Sequence, residues 1–196
     1  MAERTSDHFE MRRLESLSNT IFGVAMTLLA YDLPRAAQLA DQPSWTEIYQ
    51  LYATRLLALV LSFIIAGVFW FSHHRRLARQ PEASRTVVFL NLIFLLSIIL
   101  LPATNGLYGA YSDSSVVAVL YGFHLTIIAA LNASLWLLVA REMRHFGDLA
   151  AAFFPLLVFV PGIALASVAP RQVQYFWLLA FGAIVVRRLF THRVES

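Results

Sequence analysis

The residues of this chain able to do chemistry are few, and they stand inside apolar sequence. His73 and His74 are adjacent in Phe69-Trp70-Phe71-Ser72-His73-His74-Arg75. Imidazoles bind metals and exchange protons near neutral pH. Neighbours on a helix project about 100° apart, however, so this pair is poorly placed to chelate one ion. A polar helix end, or specific hydrogen bonding, is the expected role. Tyr121, His124 and Asn132 share one broad helical face. Polar groups at membrane depth usually turn inward and bond a neighbouring helix. That structural role is expected here, with Asn91 as a candidate partner and proton handling by His124 as the alternative.

The third group opens the chain. Arg13, Ser18, Asn19 and Thr20 precede an apolar stretch closed by Asp32 and Pro34. At about 100° per residue, Val24, Leu28 and Tyr31 stay within about 60° of one another. Thr20 and Thr27 border that stripe, and Gly23, Ala25 and Ala30 are small enough to admit another helix. A helix surrounded by lipid needs no such sidedness, so the stripe is expected to face a pore. Copies of it around an axis would stack Val24, Leu28 and Tyr31 as apolar rings. An ion stripped of water in such a throat costs many kcal/mol, so the rings can gate by dewetting. A ring of Asp32 at the outer mouth would concentrate cations. Periodicity alone leaves a competing arrangement open, a helix packed in a bundle core with no lumen.

Other chemistries lack their residues. Gly-x-Ser-x-Gly, His-Glu-x-x-His and intramembrane glutamate pairs are missing, so no enzyme is expected. With zero cysteines there is no disulfide framework, thiolate metal site or thiol nucleophile. No cofactor is implied.

The elements that must position these groups follow from composition. The 196 residues are 59% hydrophobic and 14% charged, with mean hydropathy +0.64, whereas a soluble domain carries roughly a quarter charged residues. Charges are confined to gaps between long apolar runs, each near the about 20 residues a span requires. The expected fold is an all-α integral membrane protein with six spans, at about 15–34, 47–71, 84–102, 115–140, 149–169 and 172–190. The third is bounded by Pro81 and Pro102, and Pro155 and Pro161 should kink the fifth. The first run has no small-residue cleavage motif after it and reads as a retained span. Loops are too short for a soluble domain, so residues 1–196 read as one membrane domain.

The net charge of +3 is carried by arginine alone and sits at span ends, which argues against nucleic-acid binding. With the N-terminus inside, twelve arginines fall on the cytoplasmic side and only Arg35 and Arg171 on the other. Both termini are therefore expected in the cytoplasm. Arg55 lies near a span end, where a long side chain reaches the interface. Trp45, Trp70, Trp136 and Trp177 read as interface anchors.

Two motifs resemble a known family. Arg13-x-x-x-Leu17-Ser18-Asn19 followed by Ala25-Met26-Thr27-Leu28-Leu29 is similar to an Arg-x-x-x-Phe-Ser-Asp…Thr-Leu-Leu signature. Phe69 to Arg75 is similar to a Trp-x-x-His-His-Arg stretch. Together they resemble the transmembrane protein 175 family of potassium channels in its bacterial single-repeat form. The resemblance implies a homotetramer in the cell membrane, with the first helix lining the pore and no carbonyl filter. It implies potassium as permeant ion, favoured over sodium, and constriction rings at Val24, Leu28 and Tyr31. It places Thr27 behind the first ring, bonding between helices. Arg13, Ser18, Asn19, Trp70, His73 and His74 would brace the inner end of the pore helix. Here Leu17 replaces Phe, and Asn19 replaces the signature Asp, so Asn19 accepts hydrogen bonds without carrying charge. The ring at Val24 is one methylene smaller than the family's usual isoleucine. A proton channel using His124 or the His73-His74 pair is the alternative. A secondary transporter, expected to show repeats and broken helices, is more remote.

Overall fold

The computed structural model describes residues 9–78, 82–140 and 146–192. A two-residue strand β1 (Phe9–Glu10) leads into α1 (Met11–Leu28), and a short 3₁₀ turn (Ala36–Gln38) precedes α2 (Trp45–Leu77). Strand β2 (Glu82–Ala83) is followed by α3 (Arg85–Ala110), α4 (Ser115–Ala140) and α5 (Phe146–Val168). The chain ends with α6 (Val173–Trp177), a 3₁₀ stretch (Leu178–Gly182) and α7 (Ala183–His192). The expected all-α architecture holds apart from one antiparallel pairing. Phe9 opposes Ala83 and Glu10 opposes Glu82, which ties the entry of α1 to the segment after α2.

Helix starts are set locally. Ser44 caps α2 in a capping box, accepting from the Glu47 N–H while Glu47 Oε2 accepts from the Ser44 N–H at 2.7 Å. Ser84 caps α3 through the Val87 N–H. Among the described residues, four helices are long and apolar enough to cross a membrane: Trp45–Leu77, Arg85–Ala110, Ser115–Leu138 and Gly147–Val168. The expected first and sixth runs take other forms.

α1 stops at Leu28, short of the expected 34, and the chain continues as a tight turn bonded Ala30 N–H to Thr27 O, Tyr31 N–H to Leu28 O and Leu33 N–H to Ala30 O. The expected sixth span is broken, with its middle wound as 3₁₀ helix. The third run does not end at Pro102, which is buried inside α3. A proline removes one backbone bond but does not end a helix whose neighbours hold it. The eight residues gained carry Asn105, Gly106, Tyr108 and Gly109, all used below.

The core is built from α2, α3, α4 and α5, with the inner faces of α1 and α6 packed into it. Trp136 and Trp177 are 2% and 0% exposed, so they are core residues and not interface anchors; Trp45, at 86%, stays on the surface. Trp177 fits because two helices offer it glycine: an added Cβ at Gly162 would lie 2.5 Å from its Nε1, and one at Gly122 would lie 3.0 Å from its Cζ2. Tyr108 and Tyr121 stack at 5.1 Å beside it.

Asp148 holds the far end of the chain to the bundle. Its buried carboxylate accepts from Arg187 Nε at 2.9 Å and lies 3.6 Å from Arg75 Nη1, joining α5, α7 and α2. Replacing Asp148 with Asn should lower stability by about 1.5–3 kcal/mol, the usual worth of a charged hydrogen bond. Thermal unfolding in mild detergent measures this; an unchanged midpoint would mean α7 is held by apolar contacts alone.

Candidate functional site

α1 has two faces, and the fold separates them. Met11, Leu14, Ser18, Phe22, Ala25 and Leu29, at three- and four-residue spacing, are buried against α3 and α2. The opposite face carries Val24, Leu28 and Tyr31 at 55%, 44% and 71% exposure. The 3₁₀-type turn after Leu28 keeps Tyr31 over Leu28, because three residues then make one turn. Thr20, Thr27, Gly23 and Asn19 are exposed on the same side. The stripe therefore faces away from its own subunit, which removes the packed-core alternative within one chain. Both threonine hydroxyls are spent locally: Thr27 Oγ1 donates to Gly23 O at 2.7 Å and Thr20 Oγ1 to Ser16 O at 3.0 Å. In this single chain, the donor of Thr27 thus serves its own helix.

The residues expected to brace the N-terminal end of α1 fall into two groups. On the surface, Trp70 Nε1 donates to Asn19 Oδ1 at 2.9 Å, so the amide keeps the bond that an aspartate would make. His74 stacks on Trp70 at 5.7 Å, and its Nδ1 lies 3.2 Å from Glu15 Oε1. A carboxylate thus meets a histidine after all, supplied by Glu15 one helical turn before Asn19. Arg13 is exposed on the first turn.

Beneath this lies a buried group. Ser18 Oγ donates to Leu14 O at 2.7 Å and accepts from Asn91 Nδ2 at 3.4 Å. Asn91 Oδ1 accepts from Arg76 Nη2 at 3.1 Å, and the same Nη2 meets His73 Nδ1 at 2.5 Å. A guanidinium only donates, so His73 Nδ1 is the acceptor. Arg76 is 1% exposed, and its Nε and Nη1 have no hydrogen-bond partner. Its charge rests partly on the Phe94 ring, 5.9 Å away, which also stacks on His73. Sequence reasoning missed Glu15 and Arg76. Their signal was helical spacing: Glu15 precedes Asn19 by four residues and Arg76 follows His73 by three.

The polar face of α4 is bonded to neighbouring helices. Ser62 Oγ donates to Asn105 Oδ1 at 2.6 Å and meets Tyr121 OH at 2.5 Å. His124 bonds Thr104 Oγ1 at 2.8 Å and Ser97 O at 3.0 Å, and Asn132 Oδ1 accepts from Ser72 at 3.2 Å. Asn91 does not join them; α3 turns it toward Arg76 and Ser18 instead.

Long apolar helices with polar groups bonded inward define a polytopic helical membrane protein. Among the described residues, the outer face of α1 stays exposed. The family profile described as "Endosomal/lysosomal potassium channel TMEM175" matches residues 13–102, the span that holds both motifs. The chain is related to that family.

A protein named a potassium channel in Streptomyces collinus is 28% identical over 70% of this chain and 68% of its own length. Another potassium channel, from a Chryseobacterium species, is 23% identical over 86% of this chain and 89% of its own. The chicken endosomal/lysosomal proton channel TMEM175 is 26% identical over 83% of this chain, which spans only 36% of that longer relative. In structure the chain matches a crystal structure titled as a lysosomal potassium-selective channel TMEM175 homolog from Chamaesiphon minutus. The TM-score is 0.74 at 21% identity, covering 95% of this chain and 98% of that one. This last likeness shows the shared fold.

Proposed function

We propose that the chain is a cation channel passing potassium in preference to sodium, assembled as a homotetramer with α1 around a central axis. The observation that carries this is the outward face of α1, where an apolar stripe is flanked by threonines, glycine and asparagine. Such a border is out of place against acyl chains and suits water and neighbouring copies. The subunit is read as one domain of six crossings, with α1 and the broken α6–α7 segment joining the four long spans. By arginine placement its termini are cytoplasmic, and a bacterial-type chain of this kind belongs in the cell membrane. Its partners are copies of itself, the bilayer and potassium ions; the reading needs no cofactor and no enzymatic step.

Val24, Leu28 and Tyr31 form successive constrictions. A tight apolar ring demands partial dehydration, which costs less for the larger, more weakly hydrated potassium ion. Thr27 lies beside the Val24 and Leu28 rings. The Trp70, Asn19, His74 and Glu15 group, with Arg13 nearby and Ser18 and His73 beneath, fixes the angle at which α1 leaves the bundle.

The animal relatives' names favour a second reading, proton conduction. His73 and His124 are both buried and engaged inside the subunit, away from the proposed axis, which weighs against them as proton carriers. A transporter would share the broken sixth segment, but Leu178–Gly182 offers no polar side chain to hold an ion. Flux from liposomes under separate potassium, sodium and proton gradients, with a subunit count in detergent, tests the proposal. Potassium flux exceeding sodium flux from a tetramer is expected; a monomer, or proton flux alone, would overturn it.

A further inference from the structure

Asp32 does not stand free at the end of α1. Its carboxylate lies directly on α3 at Gly106: a Cβ added there would fall 1.9 Å from Asp32 Oδ2 and 2.4 Å from its Cγ. No side chain other than hydrogen leaves this seat open. Asp32, Arg55, Asn105, Gly106 and Gly109 line a small cavity of about 10 Å³, the size of one water. Arg55 thus shares the wall of this cavity with an acid of opposite charge. Leu29 is buried below this turn, and Tyr52 OH donates to Pro34 O at 2.8 Å above it. Between these fixed points lies the turn of Ala30 to Leu33, which carries Tyr31 and Asp32 on its exposed side.

We infer that Asp32, seated on Gly106 beside Arg55, is a latch that pins the turn carrying Tyr31 to α3. It is a positioning residue that sets the aperture of the outermost ring. This rests on the pore proposed above and reassigns Asp32 from a charge facing the lumen to an anchor behind it. The latch itself is a contact inside one subunit and exists whether or not ions pass.

Because the chain has no cysteine, the contact can be tested without background. Asp32→Cys with Gly106→Cys should cross-link within one subunit in intact membranes under copper–phenanthroline and open again with dithiothreitol. Val24→Cys with Gly106→Cys should not cross-link, since Val24 faces away. Absence of the first cross-link overturns the latch, whatever the flux.

The positioning role has its own readout in the potassium-to-sodium permeability ratio. Gly106→Ala dislodges a flexible side-chain end, so folding should survive. The ratio should shift about twofold or more, the low end of coupling between contacting residues. Asp32→Ala should shift it alike, and the double variant no further. Gly67→Ala, whose Cβ would meet nothing within 4 Å and which lies outside that cavity, should leave it unchanged. An unchanged ratio in Gly106→Ala, with Asp32→Asn losing conductance only at low salt, would overturn the latch in favour of a mouth charge. A cross-link in a chain that passes no potassium would sustain the latch and sink the pore.

Discussion

Replacing Leu28 with alanine should raise unitary potassium conductance by about an order of magnitude and draw sodium permeability toward that of potassium. Leu28 sits midway along the exposed stripe of α1, 44% exposed and outside the buried hydrophobic cluster. Truncation therefore removes little core packing. In the proposed assembly it removes three carbons per copy from the same ring, widening the throat and lowering its dewetting barrier. A tenfold gain requires only about 1.4 kcal/mol off that barrier. Val24→Ala should act in the same direction. Single-channel recording in symmetric potassium, followed by reversal potentials in mixed potassium and sodium, measures both quantities. Unchanged conductance and ratio in both variants would remove the stripe from the ion path.

The second large effect concerns the buried group under α1. Asn91→Leu should destabilise the protein by about 3 kcal/mol, the upper range for a buried charged donor robbed of a neutral acceptor. Asn91 is 0% exposed, and its one amide reaches both Arg76 and Ser18, so α2, α1 and α3 lose a common tie. Arg76 already has two donor nitrogens without partners, and leucine would leave the third with His73 Nδ1 as its one remaining acceptor among the described residues. Arg76→Met should then rescue Asn91→Leu substantially, because an apolar side chain of similar length needs no acceptor. The readout is equilibrium unfolding of the singles and the double. Additive losses would show that the two residues act independently and that Arg76 is held by something other than Asn91.

Much of this was legible before any fold was known, for identifiable reasons. Apolar runs of about 20 residues with arginines at their ends are dictated by the bilayer's thickness and by the cost of burying charge. They marked the four long helices within a few residues, apart from the ends of α2 and α3. The stripe Val24, Leu28, Tyr31 is a matter of helical period, and it emerged on one exposed face even though the helix gives way to a 3₁₀ turn before Tyr31. The motif pair placed Asn19 and Trp70 on separate helices, and they meet at 2.9 Å.

Where expectation and structure part, packing decided. Pro102 reads as a stop because local chemistry disfavours it in a helix, yet α3 passes through it because neighbouring helices bury that stretch. Trp177 reads as an interface residue by position, but glycines from two other helices open a slot for it that no local window reveals. The run 172–190 is apolar enough for a helix and is nevertheless broken, since its winding follows the neighbours it must fit. The same holds at the site. Sequence alone determined which residue types line each face of α1, because side-chain direction follows from backbone period. Only the tertiary structure decided which face the subunit covers, that Asn91 serves Arg76 and Ser18, and that Asp32 rests on Gly106. Those are choices between distant segments, fixed by shape and by the need to satisfy buried polar groups, and they have no signature in local spacing.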